Sequence, residues 1–158
     1  MLIEASIQDL VTSTNTIDTP ARQHVANQVQ FTNGFQAVPS GKDIIFQGTT
    51  STGHNPKFRI SGMQKDEGPQ SVEVMTASGQ PLKILPLLKS SQALVTCDCE
   101  DFVFRFATTD QARGVLFGKI TRPYIPKTDR ATQNLGKVGV CKHLIKFVDL
   151  LSAQGVLK

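Results

Sequence analysis

The chain has 158 residues, of which 39% are hydrophobic, enough for one core and short for two domains. No run approaches the ~18 apolar residues of a membrane span, and Met1-Leu-Ile-Glu-Ala-Ser lacks the basic start of a secretion signal. The net charge of +4 is uneven: residues 1–100 carry seven basic and nine acidic side chains, residues 101–158 ten and four.

In chain order, residues 1–19 begin with Leu2, Ile3, Ile7 and Leu10 and then turn rich in Thr, Ser and Asn, which predicts a loosely packed arm. Thr19-Pro20 has the form of an N-cap and first helical residue, opening a short helix over Ala21 to Gln30. Asn33-Gly34 signals a turn. Strand patterns follow at Asp43-Ile-Ile-Phe-Gln, at Lys57-Phe-Arg-Ile-Ser, where Phe58 and Ile60 alternate, and at Ser71-Val-Glu-Val-Met-Thr. Ser78-Gly79-Gln80-Pro81 turns the chain into Leu82-Lys-Ile-Leu, and Gln92-Ala-Leu-Val-Thr runs as a strand directly into Cys97. Phe102, Phe104 and Phe106 share one face of a further expected strand. Residues 107–140 read as an irregular insertion, long enough to be functional, anchored or mobile. Lys142 to Ala153 carries Leu144, Phe147, Val148 and Leu151 at helical spacing, and Gly155 stops it. The whole predicts an α+β fold: residues 1–40 as arm and short helix, then residues 41–158 as a β-rich domain ending in a helix.

Cysteine usage is the most informative feature. There are three, Cys97, Cys99 and Cys141, and His143 stands two residues beyond the last. An odd count argues against a disulfide framework, and Cys97 and Cys99 are too close to bridge without strain. Three thiolates and one imidazole make a complete tetrahedral set for one zinc ion; an iron–sulfur cluster or another thiophilic metal is the alternative. A turn at Asp98 would let both sulfurs of Cys97 and Cys99 reach one ion, and Cys141 would sit at a helix N-terminus, where unpaired amides favour a thiolate. Four protein donors leave no open position for substrate, so the zinc is expected to be structural. Three buried free cysteines would be the plainer reading, and they leave His143 unexplained.

Cys-x-Cys followed by Cys-x-His resembles the ligand pattern of SWIM-type zinc fingers. Over residues 92–151 the resemblance implies a strand–strand–helix finger with Cys97, Cys99, Cys141 and His143 as ligands, here expanded by residues 107–140. Such fingers are associated with DNA binding and protein contacts. The phrase Cys-Asp-Cys-Glu-Asp-Phe-x-Phe-Arg-Phe, a Gly/Pro-bearing stretch and then Cys-Lys-His-Leu-Ile is also similar to small virion proteins of tailed phages, which implies a place in a virion or the host cytoplasm.

A catalytic reading, with Cys99 or Cys141 as nucleophile and His143 as base, has no accompanying oxyanion-hole motif and leaves the other cysteines idle. His24 and His54 read as ordinary surface residues, and Gly41-Lys42 lacks the rest of a phosphate loop. The expectation is therefore a non-enzymatic structural protein that partners other subunits of an assembly, with no membrane and no small-molecule substrate. The alternative is a nucleic-acid binder acting through Arg113, Lys119, Arg122, Lys127, Arg130 and Lys137, with Phe117 and Tyr124 as stacking rings.

Overall fold

In the computed structural model, which describes residues 4–120 and 138–158, the alternating runs in the middle of the chain form strands. β1 (Phe31–Ser40), β2 (Asp43–Thr50), β3 (Lys57–Ser61) and β6 (Ala93–Thr96) make an antiparallel sheet in the order β1-β2-β3-β6. Between β3 and β6 the chain leaves for the hairpin β4 (Val72–Met75) and β5 (Pro81–Ile84). Period-two alternation sends Ile44 and Phe46 of β2 and Phe58 and Ile60 of β3 to one face, all fully buried, which fixes the register. Gly41, at a φ of 62°, lets the β1–β2 connection turn in two residues.

The buried face receives the C-terminal helix α4 (Lys142–Ala153), whose Leu144, Phe147, Val148 and Leu151 point inward as its spacing predicts. Phe147 meets Phe31, Phe58 and Phe35 at ring-centroid distances of 5.1, 5.7 and 6.2 Å. Burying one such ring contributes roughly 2–3 kcal/mol. Gly48 is part of that packing: a Cβ there would lie 2.6 Å from a carbon of the Phe31 ring.

Four expectations are corrected. The N-terminal segment is no arm: α1 (Ile7–Ala26) is a twenty-residue helix that runs through Pro20, and it ends where the short helix was expected to be half complete. Ser6 and Asp9 start it by exchanging hydrogen bonds, each N–H donating 3.1 Å to the other's side chain. Ile7, Leu10 and Thr14 then recur on one buried face, so tertiary burial overrides the weak helix propensity of the Thr/Asn run. Second, Gly34 does have a positive φ, 71°, but it marks a bulge inside β1 and not a turn between elements. Residues 1–40 thus supply a strand to the main sheet.

Third, the expected strand over Phe102 to Phe106 is a helix, α2 (Glu100–Arg105), followed at once by α3 (Ala107–Arg113). Phe102 and Phe106 satisfy an i, i+4 pair as well as they satisfy alternation; both are buried, 6.4 Å apart by ring centroid, while Phe104 is 46% exposed. Among the described residues the expected strand–strand–helix finger is therefore strand, helix, helix and helix. Fourth, the insertion begins with regular structure: α3 is capped by Gly114 at a φ of 82°, and the segment around Leu116 bridges in parallel to Val95 at the edge of β6. Residues 121–137 of the insertion lie outside the described residues. Among the described residues no helix is long and apolar enough to cross a membrane.

Candidate metal centre

Cys97 follows directly on the end of β6, the chain bends at Cys99, and Cys99 becomes the N-cap of α2, accepting the Phe102 N–H on its sulfur at 3.4 Å. Cys141 is the N-cap of α4, with extended backbone, and its side chain caps nothing. His143 follows in the first turn. The bend expected at Asp98 falls one residue later, at Cys99, where the chain enters the helix.

All four side chains are buried, and one donor atom from each lies within 4.8 Å of every other. His143 turns Nδ1 toward the sulfurs, 3.9 Å from both Cys97 Sγ and Cys141 Sγ. A tetrahedron with metal–sulfur bonds of about 2.3 Å has edges of about 3.8 Å, so these separations need little adjustment to hold one ion. The electrostatics point the same way. Hydrogen bonds from Cys141 and Cys97 hold Cys99 far below the usual thiol range. Burial first, then the bonds to Cys97 and Cys99, push Cys141 well above it. For Cys97 the bond to Cys141 lowers the pKa, but its contacts with Cys99 and burial outweigh that and raise it to about 12. Three thiols in one buried pocket can share one negative charge among themselves; three thiolates there need a cation at their centre.

The segment that carries Cys141 is clamped on two sides. The Thr14 hydroxyl in the middle of α1 donates to the Leu10 carbonyl at 2.9 Å and accepts the Val140 N–H at 2.9 Å. On the other side Asp110 of α3 accepts the Gly139 N–H on Oδ1 at 2.9 Å. Gly139 passes so close that a Cβ would fall 2.5 Å from the Phe106 ring and 2.8 Å from Thr14 Oγ1. We therefore expect Gly139→Ala to lower stability by about 1–3 kcal/mol through overpacking, read as a shifted urea midpoint.

A third contact comes from the β2–β3 connection. Asp98, between the two cysteines, accepts the Asn55 backbone N–H at 2.9 Å and the Asn55 side-chain amide at 3.2 Å. His54 Nδ1 stands 3.4 Å from Asp98 Oδ1, and the His54 ring tilts over the His143 ring at 4.7 Å. Against the raising effect of partial burial, the Asn55 bonds and His54 hold the Asp98 carboxyl below the usual carboxylate range.

No protein-family model, curated protein or solved structure matches the chain. The centre accordingly stands on its own geometry: a buried cluster of three cysteines and one histidine that could hold a metal ion, compatible with a zinc finger.

The four expected ligands are brought together. Of the six basic residues expected to meet nucleic acid, Arg113 lies half-buried in the last turn of α3 and Lys119 is exposed, while Arg122, Lys127, Arg130 and Lys137 lie outside the described residues, as does Tyr124. Phe117 is half-buried, and its N–H donates to the Val95 carbonyl at 2.8 Å. His54 is a partly exposed surface side chain, as expected, and its ring also stands 4.7 Å from that of His143. Thr14, Asn55 and Asp110 were missed altogether, since each acts across a large sequence separation. The one local signal was the turn-rich run Thr49-Thr-Ser-Thr-Gly-His-Asn-Pro, which holds a histidine where a plain turn needs none.

Proposed function

We propose that the cluster is a structural zinc centre and that the chain is a non-enzymatic protein serving as a subunit in a larger assembly. One observation carries the reading: the four donors are all protein side chains, all buried, and spaced as the edges of a tetrahedron, which leaves no position for a reacting water. Zinc suits a set of three thiolates and one imidazole, where it would supply charge neutralisation and a cross-link rather than chemistry. The cross-link joins the strand end at Cys97 and Cys99 to the helix start at Cys141 and His143, across residues 100–140.

The donor pattern supports a relation to SWIM-type fingers at the level of ligands, although α2 stands where those fingers are expected to have a second strand. The similarity of the phrase around Cys97 and Cys141 to small virion proteins supports a tailed-phage virion as the assembly. A polar, Thr- and Gln-rich outer sheet face, with Thr32, Gln36, Gln47 and Thr49 along β1 and β2, suits contacts made by many hydrogen bonds.

The reading is tested by metal analysis and light scattering on the purified protein, with and without a chelator. Expected are one zinc per chain and a zinc-dependent capacity to self-associate or to bind neighbouring virion subunits. A chain that instead binds DNA or RNA tightly, with affinity falling steeply as salt rises, would replace the assembly reading by the nucleic-acid one.

A further inference from the structure

We propose that the β2–β3 loop is a clasp on the metal centre, with Asn55 and Asp98 fixing the turn between Cys97 and Cys99 and His54 covering His143, so that the loop sets how fast the metal leaves. The inference rests on the reading of the cluster as a zinc site, and it assigns positioning roles to three residues that donate nothing to the metal.

Three observations carry it. Asp98 is the middle residue of Cys-x-Cys, so whatever holds its carboxylate also holds the angle between the two thiolates. Asn55 binds both carboxylate oxygens, one through its backbone and one through its side chain, from 43 residues away. The loop is itself tied down: the Thr50 N–H donates to the His54 carbonyl at 2.9 Å, and the His54 N–H donates to Thr50 Oγ1 at 3.0 Å. A loop braced at its base and bonded at its tip can impose a position on Asp98. The second observation is the His54 ring, centred 4.7 Å from that of His143. Third, an open groove of about 600 Å³ on the outer sheet face is lined by Gln47, Thr49, Asn55, Lys57, Cys97 and Asp98. It brings solvent up to the side of the centre on which Cys97 sits. Among the described residues Cys99, Cys141 and His143 stand at the starts of α2 and α4, and the groove offers a route by which a competing ligand reaches the metal. Asn55 and Asp98 form the wall at its end.

Groups that orient ligands from outside the coordination sphere are worth about 10–100-fold in metal affinity, and the clasp places that effect in the rate at which the metal leaves. The test uses full-length zinc-loaded protein, mixed with excess 4-(2-pyridylazo)resorcinol in a stopped-flow instrument at fixed pH. Asn55→Ala and His54→Ala are each expected to release zinc about tenfold faster than the parent while still purifying with one zinc per chain. His54→Phe, which restores a ring of similar size over His143, should recover most of the slow release. Arg59→Ala is the control for general weakening of the same strands, because Arg59 Nε bonds Asp43 Oδ2 at 2.9 Å across β2 and β3 without touching the centre.

The clasp is overturned if Asn55→Ala and His54→Ala release zinc within about twofold of the parent, or if Arg59→Ala accelerates release as much as they do. Stoichiometric zinc with unchanged rates overturns the clasp alone. A parent protein that binds no zinc overturns both the clasp and the zinc reading beneath it.

Discussion

Cys97→Ala and His143→Ala are each expected to lose stoichiometric zinc and to unfold or loosen the region from residue 92 to 151. Each removes one of four donors from a buried set, and the remaining thiolates then lack the charge that lets them sit together. The cost has two parts. Without the metal, the strand end and the helix start are no longer joined across residues 100–140, and closing a loop of that length costs about 3–4 kcal/mol of chain entropy. In addition, the three remaining donors stay buried beside one another with few partners, a penalty of about 1–3 kcal/mol for each unsatisfied polar group. The clamps at Thr14 and Asp110 offset part of this by holding Val140 and Gly139 independently. A net loss of at least about 3 kcal/mol is expected. Chelation of the parent protein should reproduce it, and zinc analysis together with circular-dichroism melting measures both. A variant that keeps one zinc and an unchanged melting curve would show that the ligand is misassigned.

The second large effect belongs to Asp110. Its carboxyl is fully buried in α3, and Oδ2 has no hydrogen-bond partner among the described residues. Burial pushes its pKa up to about 8, against the lowering effect of the Gly139 N–H on Oδ1. In the unfolded chain the group titrates near the ordinary value of 3.8. A pKa raised on folding means that the native state holds its proton more tightly. The contribution is therefore fully present below about pH 4, falls as pH rises between about 4 and 8, and is lost above that range. With about 1.4 kcal/mol for each pH unit, the full span is worth up to about 6 kcal/mol. Asp110→Asn is expected to abolish that slope, because the carboxamide oxygen can still accept the Gly139 N–H and no charge need form. At pH 7 the variant should be more stable than the parent by a few kcal/mol, about 2–4 after relaxation of the site. Urea unfolding at pH 5, 6, 7 and 8 measures the slope in both proteins. Equal slopes would mean that Asp110 ionises freely in the native state, contrary to its burial.

The ligand set was legible because it needs no long-range information. Three cysteines and a histidine, used without remainder and set beside a strand pattern and a helix pattern, already name the candidate donors. The same holds for β2, β3, β4, β5, β6 and α4, whose periodicities of two and of 3.6 each matched a buried face. Where periodicity was ambiguous the reading went wrong. Phe102, Phe104 and Phe106 fit alternation, but a cap at Cys99, acids at Glu100 and Asp101, and burial of only Phe102 and Phe106 make the segment helical. The N-terminal Thr/Asn run carries little helical preference, and α1 forms because Ile7, Leu10 and Thr14 find a buried surface and Thr14 finds Val140.

Thus the sequence by itself determined the α+β class, the order of most elements and the identity of the four candidate ligands, all of which depend on residue type and short spacing. The tertiary structure alone decided that Thr14 and Asp110 clamp the approach to Cys141 and that Asn55 grips Asp98. It also decided that His54 lies over His143. These contacts join residues from 29 to 126 positions apart. A hydrogen bond between them leaves no periodic trace in either segment, because its geometry is set by how the sheet and helices pack and not by neighbours along the chain.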